Sequence, residues 1–130
     1  NQWIVFIQDI DFAGAGDGVA VSTASPARTV NCTFTNWKTG VLGYGSAWVN
    51  VIGCTFTDNV VGFHFNSEGR SANHSMYNNN VFRDNETAVL LERVPTDVAL
   101  NFQDSVFAGN GTDIDNRCGQ DVDTSQAVFE

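Results

Sequence analysis

The sequence predicts an all-β fold in which short strands wind into a parallel β-helix, a solenoid of about five coils. Two observations in the 130 residues support this prediction. A motif anchored on phenylalanine recurs five times in one register, and apolar residues within each copy alternate with a period of two, as in strands. A unit this short cannot bury its apolar side alone, whereas stacked units can.

The repeat has one anchor phenylalanine in each copy. Successive anchors are separated by 22, 22, 26 and 25 residues, and a gap-free alignment places an apolar residue seven positions after each anchor. The anchors are Phe12, Phe34, Phe56, Phe82 and Phe107. Each copy then offers about three strands, which in the third copy are predicted at residues 49–51, 54–56 and 62–65.

A turn is predicted after each anchor, because asparagine stands three residues beyond it in the last three copies, at Asn59, Asn85 and Asn110. Asparagine tolerates the left-handed conformation of a tight bend, and stacked amides can hydrogen-bond from coil to coil. Trp37 and Ala15 occupy the same place in the first two copies, so the predicted amide ladder covers three coils.

Composition and charge exclude several classes of protein. Hydrophobic residues make up 42% and charged residues 16% of the chain, which is too apolar for a disordered protein. The net charge of -9 argues against a nucleic-acid partner, which needs a basic patch. No apolar run approaches the length of a membrane span.

The copies NCTFTNWKTGV and GCTFTDNVVGF resemble the right-handed parallel β-helix repeats of the pectate-lyase-like superfamily, in particular the repeat-containing surface and secreted proteins of bacteria. The resemblance implies a single-stranded, right-handed β-helix and an extracellular or cell-surface location. We expect the repeats to occupy residues 1–116 and a C-terminal cap or tail to occupy residues 117–130, which leave the repeat register.

The superfamily includes lyases, hydrolases and binding modules, so the fold does not decide the function. Its hydrolases carry a Gly-His-Gly signature, whereas His64 lies in Phe-His-Phe, and Arg93-Val-Pro95 is only a fragment of a lyase motif. We therefore assign no catalytic residue and favour a non-catalytic module that binds a polysaccharide or glycan, or that mediates adhesion. The alternatives are a fragment of a polysaccharide lyase or glycoside hydrolase, with acidic groups at Asp58, Asp84 and Asp104, and a purely structural spacer.

A carbohydrate-binding patch is predicted on the outer face of the first strand of each coil. The rows eight and six residues before the anchors would bring together Trp48, Asn50, Arg28 and His74. Sugars stack their C–H faces on aromatic rings while their hydroxyls need polar partners. The alternative is that Trp48 is covered by a neighbouring loop or the C-terminal tail.

Asp58 and Asp84 share a column two residues after their anchors, and neighbouring carboxylates repel unless a cation or proton lies between them. They are the candidate ligands of a Ca²⁺ ion, and no other cofactor is predicted. The alternative is a pair of solvated turn residues.

Two of the three cysteines belong to the repeat. Cys32 and Cys54 share an inward column and are predicted to be buried free thiols, while Cys118 has no partner in the repeat.

Two longer insertions, after Phe65 and Leu91, should bulge from the same edge of the solenoid, where loops commonly carry function. The uncapped first coil predicts either further domains of a larger parent chain or end-to-end self-association.

Overall fold

The computed structural model describes residues 4–68 and 76–130. These residues form fourteen strands and no helix, and the strands wind into a right-handed parallel β-solenoid of about five turns. The predicted fold class is therefore confirmed. Within the described residues, no helix is long and apolar enough to cross a membrane.

The strands belong to three parallel sheets. In chain order they are β1 (Val5–Gln8), β2 (Asp11–Ala13), β3 (Val19–Thr23), β4 (Ala27–Val30), β5 (Thr33–Thr35), β6 (Thr39–Gly45), β7 (Val49–Ile52), β8 (Thr55–Thr57), β9 (Val61–Ser67), β10 (Val81–Arg83), β11 (Thr87–Arg93), β12 (Val106–Ala108), β13 (Thr112–Asn116) and β14 (Val128–Phe129). The first sheet has the order β1-β4-β7, the second β14-β12-β10-β8-β5-β2, and the third β13-β11-β9-β6-β3.

The anchor phenylalanines pair with one another across the second sheet and form a continuous stack of rings inside the solenoid. Successive ring centroids from Phe12 to Phe107 lie 4.9 to 5.1 Å apart. Parallel strands repeat at about this spacing, so the ring of each coil stacks directly on the ring of the next.

The C-terminal segment extends this stack. β14 pairs in parallel with β12, and the ring of Phe129 stacks on Phe107 with centroids 5.0 Å apart. The prediction that residues 117–130 leave the repeat register is therefore wrong, since Phe129 follows Phe107 by the same 22 residues that separate the first anchors. The motif is hard to recognise there because only Glu130 follows the anchor.

The third sheet also corrects the gap-free alignment in the first copy. Val41 pairs with Val21 rather than with Val19, and Val19 is exposed. The turn before β3 thus contains two residues more than the equivalent turns of the later coils. In the second, third and fourth coils, the residue six positions after the anchor is small because there is little space for a side chain. A Cβ at Gly62 would lie 2.6 Å from the carbonyl oxygen of Ala88.

The turns at the two ends of each second-sheet strand hold residues in the left-handed conformation. Three residues before the anchors, φ lies between 51° and 63° at Asp9, Asn31, Gly53, Asn79 and Asp104. Two residues after the anchors, φ lies between 57° and 69° at Asn36, Asp58, Asp84 and Gly109. The left-handed residue is therefore the one before the ladder asparagines, and the prediction that placed it at Asn59, Asn85 and Asn110 is wrong by one position.

The amide ladder itself is confirmed. The side-chain amide of Asn59 donates to the amide oxygen of Asn85 at 3.0 Å, and Asn85 donates in the same way to Asn110 at 3.0 Å. Trp37 replaces asparagine in the coil that precedes Asn59, and its indole N–H donates to the carbonyl oxygen of Phe12 at 3.0 Å. The indole thus makes the bond to an anchor carbonyl that Asn59 makes to Phe34.

Cys32, Cys54 and Cys118 are free thiols, and the first two are buried as predicted. The Cys54 thiol donates to the carbonyl oxygen of Thr29 at 3.3 Å. Burial raises the pKa of Cys54 above the ordinary value of a cysteine, so this thiol stays protonated.

Candidate functional site

The predicted patch on the first sheet is not an open surface. Trp48 is 1% exposed and Asn50 is fully buried, so the expectation that both face solvent is wrong. Asn50 has a structural role, because its amide oxygen accepts a hydrogen bond from the backbone N–H of Met76 at 2.8 Å. Of the other predicted members, Arg28 stacks over the ring of Phe6 at 5.7 Å, and His74 lies outside the described residues.

The physical reason for this correction lies in the period-two pattern. Alternation shows which side chains point out of a sheet, but it does not show whether other parts of the chain lie over that face. Asn50 is therefore buried although it alternates with the core residues Val49 and Val51.

The two aspartates proposed as Ca²⁺ ligands are exposed turn residues. Asp58 and Asp84 both have a left-handed backbone, and their N–H groups donate to carbonyl oxygens of the next coil at 3.2 and 2.9 Å. Asp104 occupies the other left-handed column. Among residues 4–68 and 76–130, no three His, Cys, Asp or Glu side chains are grouped so that they could hold a metal ion. The left-handed backbone conformation therefore explains why aspartate stands at these positions.

An open cleft of about 650 Å³ lies at the end of the third sheet, where the chain leaves β9, β11 and β13. Both insertions start at this edge, which is where the sequence predicts that they bulge together. The cleft is lined by Ser67, Glu68, Glu92, Arg93, Val94, Pro95, Thr96, Asp97, Arg117 and Cys118.

A β-bulge in β11 shapes one wall of the cleft. Leu91 pairs with Phe65, but the next partner of β9, Asn66, pairs with Arg93, so Glu92 is the extra residue. Such bulges redirect side chains. The carboxylate of Glu92 consequently meets Nε2 of His64 at 2.8 Å.

Arg93 is held by two neighbours of the previous coil. Its Nε donates to the amide oxygen of Asn66 at 2.7 Å, and its Nη1 forms an ion pair with the carboxylate of Glu68. The planar guanidinium is thereby oriented at the mouth of the cleft, which a flexible lysine would not achieve.

The insertion after β11 forms the floor. Val94 and Pro95 are buried, and Val98 N–H donates to the carbonyl oxygen of Pro95 at 3.1 Å, which closes a turn. The side-chain amide of Gln120 donates to the carbonyl oxygen of Val94 at 2.5 Å. Thr96 and Asp97, at the tip, remain exposed.

The opposite side of the cleft carries a second ion pair. Arg117 contacts the carboxylate of Asp115 through Nη2 at 2.9 Å and through Nε at 3.2 Å. This carboxylate raises the pKa of Arg117 above its ordinary value, so the guanidinium stays charged. The neighbouring Cys118 thiol lies 3.1 Å from the amide oxygen of Asn116.

A row of outward side chains connects the cleft to an exposed aromatic ring. Tyr44 pairs in register with Asn66, which pairs with Arg93. The three side chains follow one another at the spacing of neighbouring strands, about 4.8 Å. Tyr44 is 43% exposed, so part of its ring is available to a ligand. We call Tyr44, Asn66 and Arg93 the polar row.

Sequence reasoning located this edge of the solenoid but missed the polar row. Tyr44 and Asn66 stand ten residues after their anchors, at an outward position of the third strand. The same alternation that predicted the first-sheet patch would have found them. Arg93 could not be placed in this way, because the bulge at Glu92 shifts it by one residue.

Stacked parallel coils with a cleft at one edge of the third sheet define a β-solenoid repeat module. The chain belongs to the family described as the right handed beta helix region, whose profile matches residues 4–127. This match confirms that the repeats are those of a right-handed β-helix and extends them into the C-terminal segment. No curated protein and no solved structure matches the chain.

Proposed function

We propose that this β-helix module binds a polysaccharide or glycan along the polar row and in the adjoining cleft, without cleaving it. The observation that carries the proposal is the polar row itself, in which an exposed ring, an amide and an oriented guanidinium lead into an open cleft. Such ligands occur outside the cell, so we also propose an extracellular or cell-surface location. A bacterial origin stays a prediction of the sequence resemblance.

The chemistry of the polar row fits a chain of sugar units. The exposed part of the Tyr44 ring can contact the C–H face of a pyranose ring. Asn66 offers both a donor and an acceptor, and Arg93 offers donors in a fixed plane. The strands beneath are rigid, so these groups are arranged before the ligand binds and little ordering entropy is lost on binding.

Affinity electrophoresis and calorimetry against a panel of soluble plant and microbial polysaccharides test the proposal. We expect the wild-type protein to be retarded by at least one polymer. Tyr44→Ala should weaken that binding by about five- to tenfold, since one stacking contact contributes about 1 kcal/mol.

Phe6→Ala is the matched control, because Phe6 is an exposed aromatic residue on the first sheet, away from the cleft. It should bind as tightly as the wild type. Retardation by no polymer of the panel, or equal binding by Tyr44→Ala, would overturn the proposal.

A second candidate is cleavage of the bound polysaccharide, which the contact between His64 and Glu92 favours. Two groups that share a hydrogen bond at 2.8 Å can hold and move a proton during bond cleavage. An enzyme would release unsaturated or reducing ends, and Glu92→Gln would abolish the release while polymer binding persisted. A structural spacer would show neither binding nor release.

A further inference from the structure

We infer that the cleft selects uncharged polysaccharides over acidic ones, because its two guanidinium groups are already neutralised by carboxylates of the chain itself. The inference rests on the proposed function and names the class of ligand that the same site accepts. It depends on how the charged groups around the cleft are paired.

The guanidinium of Arg93 cannot bind an acidic sugar without losing its ion pair with Glu68. Arg93 is paired with Glu68 and also donates to Asn66. A uronate carboxylate or a sulfate that approached Arg93 would compete with Glu68 for the same donors. The incoming group would therefore exchange one ion pair for another and would leave the Glu68 carboxylate beside it.

The second guanidinium is occupied in the same way. Arg117 makes two contacts to one carboxylate oxygen of Asp115, the residue two positions earlier in the chain. Because the two residues are so close in sequence, the pair forms locally and needs no ligand to complete it.

Carboxylates outnumber guanidiniums in the lining of the cleft. Glu68, Glu92 and Asp97 face two arginines. Within the described part of the chain, Asp97 forms no ion pair, so its charge is uncompensated. The net charge of -9 adds a repulsive field over the whole surface. A neutral polysaccharide avoids this repulsion and still finds hydrogen-bond donors and acceptors.

Other basic residues lie elsewhere in the fold. Arg28 is on the first sheet and Arg83 on the second, while Lys38 precedes β6 at the opposite end of the third-sheet strands. Arg70 lies outside the described residues, and its contribution is therefore tested directly by a variant.

The test uses pairs of polymers that share a backbone and differ in whether C6 carries a neutral or a charged group. They are methyl-esterified and de-esterified polygalacturonate, soluble amylose and C6-oxidised amylose, and soluble mixed-linkage β-glucan and its C6-oxidised form. We expect a neutral member to bind at least about tenfold more tightly than its acidic partner in about 10 mM salt, with a smaller difference in about 1 M salt, where charges are screened.

Glu68→Gln should raise the affinity for the acidic partner by about tenfold, since it frees Arg93 and removes one repelling charge. Glu130→Gln is the matched control, with the same change of charge in an exposed residue at the end of the second sheet, and it should change nothing. Arg70→Gln should leave the preference for the neutral polymer intact.

The outcomes separate the inference from the proposed function. Binding to no member of any pair would overturn both. Equal or tighter binding of the acidic members would overturn the inference and leave glycan binding in place. If the acidic members bind as tightly as the neutral ones and Arg70→Gln abolishes that acidic binding, Arg70 recognises the anion and the inference is overturned.

Discussion

The amide oxygen of Asn85 accepts two hydrogen bonds from Asn59, one from its backbone N–H and one from its side-chain amide, each 3.0 Å long. The amide nitrogen of Asn85 donates to the carbonyl oxygen of Phe56 at 3.0 Å and to the side chain of Asn110. Asn85 is only 2% exposed, so water cannot replace these bonds. One side chain thus satisfies the backbone of a tight turn and joins three coils.

Asn85→Ala should lower the free energy of unfolding by about 3 kcal/mol. The substitution leaves the N–H of Asn59 buried without a partner, which costs about 1–3 kcal/mol, and removes the side-chain hydrogen bonds to the carbonyl of Phe56 and to Asn110, which contribute about 1 kcal/mol each. Urea denaturation followed by circular dichroism measures the change. Asn110→Ala, at the half-buried end of the ladder, is the control and should lose about 1 kcal/mol. Equal losses at both positions would contradict this account.

A phenylalanine-to-alanine substitution should destabilise the protein most in the middle of the ring stack. Phe56→Ala removes a fully buried ring between two others and should cost about 3–5 kcal/mol. Phe129→Ala removes a ring that is 50% exposed and stacked on one side only, and should cost about 1 kcal/mol. Thermal denaturation of both variants under one set of conditions gives the comparison. A loss for Phe129→Ala as large as that for Phe56→Ala would contradict it.

Asp58 should tolerate glycine better than alanine. Its φ of 57° is accessible to glycine without strain, whereas alanine pays about 1 kcal/mol in the left-handed region. Asp58→Gly should therefore remain within about 0.5 kcal/mol of the wild type in urea denaturation, and Asp58→Ala should fall about 1 kcal/mol below it.

The same variants test the metal hypothesis for Asp58 and Asp84. Addition of about 1 mM Ca²⁺ should leave the melting temperature of the wild type unchanged. A rise in the wild type that disappears in Asp58→Gly would restore a Ca²⁺ site at this turn.

The pKa of Cys54 predicts a pH dependence of stability. Burial raises this pKa in the folded state above the unfolded value of about 8.5, so above that pH the folded chain holds a proton that the unfolded chain releases. The contribution of Cys54 to the free energy of unfolding is therefore complete below about pH 8.5, and it declines as the pH rises from there towards the pKa of the folded state. Urea denaturation between about pH 7 and 10 should show a smaller decline in Cys54→Ala than in the wild type. Parallel curves for the two proteins would refute this source of the pH dependence.

Much of the fold could be predicted because the same sequence pattern occurs five times in one register. Phe56 and Phe82 stand at equivalent positions, and equivalent positions of stacked coils meet, so the core follows from alignment alone. The site could not be predicted in the same way. Arg93 reaches Asn66 only because Glu92 forms a bulge, and Asn50 is buried although it alternates with the core residues Val49 and Val51.

The sequence by itself determined the parallel solenoid, the ring stack, the amide ladder and the edge from which the insertions project. These features repeat with the coil, so each is supported by several copies. Only the tertiary structure decided that Phe129 continues the stack, that Trp48 and Asn50 are buried, and that the charges of Arg93 and Arg117 are paired. Phe129 keeps the 22-residue spacing, but only Glu130 follows it, so the sequence shows little of the motif around it. The burial of Trp48 and Asn50 and the two ion pairs each depend on a contact made once, and a single contact leaves no periodic signal in the sequence.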